Sequence, residues 1–373
     1  MIFILTASLP AQTIVDPARL SDDQKNFEPR STDKPLHCEV MPIHPTLDFN
    51  FRLQSGYLMR VPMNQYEGSG HAWFVLERIT PQEGNQQPVY LAARVRLPTV
   101  PAQNKNEIET GGGYYLGPGR YDVAWKLMDD SGRVCRKTFT VDAKPSHAER
   151  KVKVAMEPGT VAQFGGRRAP NAVRDKDDAA PLRVTVLLHA APISPRRSRM
   201  TPRDRLMLMG ILSSFLERVP VRNVRLTAFN LEQQRELYRQ DHFQPGNMGE
   251  LGQSINSMEL ALVDYHVLQN RGGHLDLLTD IINRELTEQS PSDVVLFLGP
   301  LARFDDKIHA DDLERPQPAG PKFVYFQYRP PMRVQQAVLP DTIAKAVGKL
   351  KGKTFIIRTP GDFAKAIEQV EKK

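Results

Sequence analysis

Leu182-Arg183-Val184-Thr185-Val186-Leu187-Leu188 runs into His189-Ala190-Ala191-Pro192-Ile193-Ser194, and the reading of this junction decides the C-terminal half of the chain. The first seven residues are a nearly continuous apolar run with β-branched side chains at 184–186, the pattern of a strand buried on both faces. Strands of that kind belong to sheets covered by helices. The six residues that follow carry one ionisable side chain, His189, at the carboxyl end of the strand, where open α/β sheets bind ligands.

Downstream, the hydrophobic period changes and strands alternate with helices. Thr201 is a cap, Pro202 suits the first helical position and Asp204 the first turn, so a helix begins there. Leu208, Ile211, Leu212, Phe215 and Val219 follow at helical spacing. A strand at 224–229 and a polar helix from Leu231 through Glu232-Gln233-Gln234-Arg235-Glu236 are expected next. Further expectations are a helix over 249–257, a strand over 262–268, a helix over 275–286, strands at 294–298, 322–328 and 354–357, and a closing helix over 361–370. This alternation predicts a doubly wound, mostly parallel α/β sheet of Rossmann type over 181–373.

The N-terminal half reads differently. From 35 to 145, short runs are broken by Pro, Gly and Asn, which predicts an all-β sandwich of seven or eight strands. Leu47, Phe49, Phe51 and Leu53 alternate with Asp48, Asn50 and Arg52, the signature of a half-buried strand. Tyr121, Val123, Trp125 and Leu127 alternate again. The glycine run Gly111-Gly112-Gly113 reads as a loop, since it leads into a strand and offers no helix N-terminus to an anion. Leu116-Gly117-Pro118-Gly119-Arg120-Tyr121 resembles the L-x-P-G-x-Y entry to a late strand of immunoglobulin-like domains, which implies a tyrosine corner at Tyr121.

A length of 373 residues predicts two folded units. The 50 Lys+Arg against 43 Asp+Glu give a net +7, spread along the chain and not clustered, which makes a nucleic-acid partner an unfavoured expectation. Residues 1–12 resemble the back half of a secretory signal without its basic front, so the protein is expected to be secreted or periplasmic. No later apolar run approaches a membrane span. Export makes a single Cys38–Cys135 disulfide an expectation, because oxidising compartments allow such bridges to persist. Residues 13–34 offer little to pack and read as disordered, and 146–180, rich in mixed charge, read as a linker.

From Leu182 to Lys373 the chain resembles a von Willebrand factor type A domain. The likeness is carried by Val184-Thr185-Val186-Leu187-Leu188, by Gly272-Gly273-His274-Leu275-Asp276-Leu277-Leu278, by 294–298, and by the closing strand and helix. The family holds a divalent ion on oxygen donors from Asp-x-Ser-x-Ser, a threonine and an aspartate. The corresponding residues are His189, Ala191, Ile193, His274 and Gly299, none of which supplies a carboxylate. The resemblance therefore implies a degenerate, metal-free domain of this type with no cofactor.

His189 and His274 remain binding candidates at the crest of the sheet, and with Asp276 nearby they could suit a softer metal such as zinc, although no fixed spacing supports it. Arg196, Arg197 and Arg199 lie in the loop after the first strand and suit an acidic protein partner, or form a solvated basic loop. Ser194 lacks a glycine-flanked elbow, and Gly348-Lys349-Leu350-Lys351-Gly352-Lys353-Thr354 is one residue short of a phosphate loop and leads into a strand. Two functions follow as expectations. The first is a non-catalytic exported binding or scaffold protein. The alternative is a small-ligand receptor or hydrolase-type enzyme that uses His189, His274 and the arginine loop.

Overall fold

The computed structural model describes residues 12–84, 87–164, 181–193, 200–257, 267, 269–314, 320–329 and 340–371. The chain forms two compact units that part at 173/174.

The described residues of the N-terminal unit form ten strands: β1 (Thr13–Val15), β2 (Lys34–Pro35), β3 (Glu39–Leu47), β4 (Leu53–Pro62), β5 (Ala72–Pro81), β6 (Val89–Arg96), β7 (Glu107–Leu116), β8 (Gly119–Asp129), β9 (Arg133–Ala143) and β10 (Val161–Gln163). They form a six-stranded sheet, β1-β6-β5-β8-β9-β2, and a four-stranded sheet, β10-β7-β4-β3. Every pairing is antiparallel except β2 with β9. Strand alternation supplies the shared core. Tyr57, Met59 and Val61 of β4 pack with Trp73 and Val75 of β5 and with Trp125 and Leu127 of β8. Cys38 and Cys135 are joined as a disulfide, with Cα atoms 6.2 Å apart, at the border of this core.

Several expectations for this half are corrected. Six plus four strands, with edges supplied by 13–35 and 161–163, replace the seven or eight strands of an immunoglobulin-like layout. Within the alternating stretch 47–53, residues 48–52 are a turn between β3 and β4, because the Asp48 carboxylate accepts the backbone N–H groups of Asn50 and Arg52, each at 2.9 Å. Phe51 takes a left-handed φ of 57° there and is still buried, so the apolar spacing came from aromatics tucked beneath a turn. The glycine run lies inside β7, paired with Gly56, Tyr57 and Leu58 of β4. Tyr121 forms its corner, with the hydroxyl donating to the Gly117 carbonyl at 2.8 Å.

Residues 13–34 are ordered, against expectation. Ser21 caps a short helix, α1 (Asp22–Lys25), through a capping box, and Leu20 and Phe27 are buried against Leu76, Ala92 and Ala124. Lys126 anchors the segment. Its ammonium donates to the carbonyls of Asp23, Gln24 and Asn26 at 2.9, 2.7 and 2.6 Å, and burial lowers its pKa to about 8. The linker expected over 146–180 likewise contributes β10 to the second sheet; residues 165–180 lie outside the described residues.

The C-terminal unit is built on β11 (Leu182–His189), β12 (Val221–Asn230), β13 (Arg235–Gln240), β14 (Val294–Gly299), β15 (Lys322–Tyr328) and β16 (Lys353–Ile357), in the order β13-β12-β11-β14-β15-β16. Its described helices of at least two turns are α2 (Pro202–Arg218), α3 (Met248–Asn256), α4 (Gly273–Thr287), α5 (Thr342–Lys349) and α6 (Pro360–Glu371). Thr201 and Asp204 form the capping box of α2. Leu278, Ile281 and Ile282 of α4 and Ile343 and Val347 of α5 pack with Leu187, Phe297 and Tyr325. Phe215 of α2 and Phe363 of α6 meet the ring of Phe326, each with centroids 5.9 Å apart.

The fold class expected from the sequence is therefore corrected. The chain is mostly β, on three sheets, and the third is mixed and does not reproduce the doubly wound arrangement that the von Willebrand A resemblance implied. The polar helix expected from Leu231 is a turn over 231–234 leading into β13, which returns antiparallel to β12. The turn is fixed by Asn230, whose carbonyl oxygen Oδ1 accepts the Gln233 N–H at 2.7 Å, and by Gln234 at a φ of 51°. Between β14 and β15 the only helical element among the described residues is a 3-10 turn, Ala310–Asp312. The strand expected over 262–268 falls mostly outside the described residues, and Val267 within it is helical. No helix among the described residues is long and apolar enough to cross a membrane.

Candidate functional site

The carboxyl ends of β11, β12, β14 and β15 place His189, Asn230, Gly299 and Tyr328 at one rim of the sheet. The loop that leaves β14, residues 300–306, runs along that rim and collects most of its polar contacts.

His189 is 1% exposed, and its Nδ1 lies 3.3 Å from the Pro300 carbonyl. A carbonyl only accepts, so Nδ1 carries the proton and Nε2 is left as an acceptor, with no hydrogen-bond partner among the described residues. Burial lowers the imidazole pKa to about 4 against the pull of the Pro300 carbonyl, and the charge of Arg303 adds to the lowering. The ring is neutral at pH 7. Gly299 is required beside it, since a Cβ there would sit 2.5 Å from the His189 carbonyl oxygen.

The same Pro300 carbonyl lies 2.8 Å from the hydroxyl of Tyr325, which is also 3.2 Å from Oδ2 of Asp341. Gln327 donates its amide to the same carboxyl oxygen, while Oδ1 of Asp341 caps α5 by accepting the Ala344 N–H at 3.1 Å. Burial pushes the Asp341 pKa up. Arg303 reaches back to the carbonyls of Pro192 and Ile193 at 3.4 and 3.2 Å. Burial lowers its pKa and raises that of Glu232, with each charge partly offsetting the shift of the other. Asn230 donates to the Ala190 carbonyl at 2.6 Å. The segment after β11 is thus held by side chains from β12 and from the loop after β14.

His274 sits in the first turn of α4, with Nε2 3.0 Å from Oδ2 of Asp306 and its ring stacked on Phe304 at 4.1 Å. Both histidines contact the 300–306 loop, but they share no hydrogen-bond partner among the described residues. Ala191 is buried and Ile193 half-buried, and neither offers a side-chain donor. No group of three or more His, Cys, Asp or Glu side chains positioned to hold a metal occurs among the described residues. Arg196, Arg197 and Arg199 lie outside the described residues. Tyr325, Gln327, Asp341, Glu232 and Arg303 were not singled out from the sequence. A glutamine inside the apolar strand Phe323-Val324-Tyr325-Phe326-Gln327-Tyr328 was the available signal, because a buried amide needs a partner.

No family model matches the chain, and no curated protein matches it. Among solved structures it is similar to a protein assigned as ApaA from Bordetella pertussis, with 16% identity, a TM-score of 0.20 and coverage of 30% of this chain and 97% of that one. A lipoprotein from Bacteroides thetaiotaomicron shows 15% identity and a TM-score of 0.17 over 36% of this chain and 95% of its own. A beta-glucuronidase from Bacteroides uniformis shows 9% identity and a TM-score of 0.19 over 84% of this chain and 38% of that one.

Proposed function

We propose that this protein is a non-catalytic binding or scaffold protein of an oxidising, exported compartment, and that its C-terminal unit engages an acidic protein partner through the arginine loop. The observation that carries the reading is the closed state of the sheet rim. His189, Arg303, Tyr325 and Asn230 are each committed to backbone carbonyls of the rim itself, at 3.3, 3.2, 2.8 and 2.6 Å. Catalytic groups instead converge on a space where a reacting atom can sit. The Cys38–Cys135 disulfide supports the compartment, since such bridges persist outside reducing cytosol. A second reading, a small-ligand receptor or hydrolase, is favoured by the buried Nε2 of His189 and Oε1 of Gln327, which have no hydrogen-bond partner among the described residues.

The test is capture from the native cell envelope with the full chain and with an Arg196→Glu, Arg197→Glu, Arg199→Glu variant. The variant is expected to recover at least tenfold less partner at an unchanged melting temperature, with the wild-type interaction weakening as salt rises. Equal recovery by both proteins contradicts the arginine loop as the contact. Turnover of model esters or phosphates that is lost in His189→Ala favours the second reading.

A further inference from the structure

The N-terminal unit contains a partly open pocket of about 110 Å³ between its two sheets, lined by Tyr57, Met59, Ala93, Val95, Thr110 and the glycine run together with Gln12 and Phe164. Glycine inside a strand weakens it relative to alanine and marks a place where something approaches the backbone closely. Two of these approaches are visible. A Cβ at Gly112 would collide with the Gln12 amide, and one at Gly113 with the Phe164 ring. Those two side chains flank β1 and β10, three-residue edge strands tied together where Ile14 N–H donates to Oε1 of Gln163 at 2.8 Å. Short edge strands open at low free energy, so this roof provides an entry.

Among the polar side chains of the lining, Gln12 carries an oxygen with no partner among the described residues. Gln12 is 6% exposed, and its Nε2 donates to Oε2 of Glu77 at 2.7 Å. Its Oε1 faces Gly112 with no hydrogen-bond partner among the described residues. The remaining walls combine methyl, thioether and aromatic groups with the side chains of Thr110 and Tyr57 and with bare backbone.

We propose that this cavity binds a small, uncharged, mostly apolar molecule with one hydroxyl, of the class of short-chain alcohols, with the hydroxyl on Gln12 and the carbon chain against Met59, Ala93 and Val95. A 150 Å³ apolar cavity accepts benzene, so this one suits a ligand of roughly five non-hydrogen atoms. The inference is independent of the sheet rim in the other unit.

The experiment is a titration of the full-length protein with 1-butanol, followed by methyl NMR. Met59, Ala93 and Val95 are expected to shift together and to saturate in the millimolar range, as a ligand this small allows. Ala93→Leu should weaken binding at least tenfold by filling the space, and Gln12→Ala should weaken 1-butanol while leaving xenon uptake intact. Two variants keep the test valid if one fails to fold. Linear, unsaturated shifts, or equal affinity in a folded Ala93→Leu protein, overturn the proposal, as does evidence that water alone occupies the space.

Discussion

Glu77→Gln is expected to flatten the pH dependence of stability of the N-terminal unit and to stabilise it near pH 8 by roughly 3–5 kcal/mol. Glu77 lies on β5 with its carboxyl group facing inward and 0% exposed. Burial pushes its pKa to about 8, and the Gln12 amide offsets only part of that. In the unfolded chain the carboxyl ionises near its ordinary 4.5. Between those two values the unfolded state binds fewer protons than the folded state, so stability falls as pH rises from about 4.5 to about 8 and is level outside that window. Glutamine has no proton to lose and keeps the shape. Both tryptophans, Trp73 and Trp125, lie in this unit, so urea unfolding followed by tryptophan fluorescence reports on it alone. A wild-type midpoint that does not move between pH 5 and pH 8 contradicts the assignment of a neutral buried acid.

The second large effect concerns the disulfide. Cys38→Ser with Cys135→Ser opens a loop of sequence separation 97, which the chain-entropy account places at about 4–5 kcal/mol. Tryptophan-detected unfolding should shift by that amount, and wild-type protein in reductant should behave like the double variant. The bridge ties β9 to the residue preceding β3, so it links the two sheets next to the core of Trp73 and Trp125. An unchanged midpoint in reductant contradicts a formed bridge.

Much of the local structure was legible because single residues decide it. Thr201, Pro202 and Asp204 start α2 from within one turn, and the shorter of the two contacts of the Tyr121 hydroxyl is to Gly117, four residues back, the other being to the Thr160 carbonyl at 3.1 Å. Long apolar runs such as Val294–Gly299 have no alternative to burial in a sheet. What escaped the sequence was decided by side chains that rewrite the backbone or by distant partners. Asp48 and Asn230 each turn the chain where periodicity suggested continuation, the first inside an apparent strand and the second before an apparent helix. Lys126 orders residues about a hundred positions away, which no local pattern records. The correction of the fold class follows from the same cause, since the Asn230 turn makes β13 antiparallel where a crossover helix was expected.

The candidate site was legible only in part. His189 and His274 could be singled out from the sequence, but what they touch depends on the loop 300–306, whose contacts come from its path and not from its composition. Tyr325 and Gln327 read as strand residues, and their link to Asp341 crosses the chain from β15 to the start of α5.

Nitrogen NMR of His189 in the full-length protein reads whether the rim is committed to its own backbone, as proposed. The ring is expected to stay neutral with its proton on Nδ1 from pH 5 to 8 and to be unaffected by added zinc or magnesium. A histidine that titrates near 6.5, or that shifts when metal is added, would contradict it.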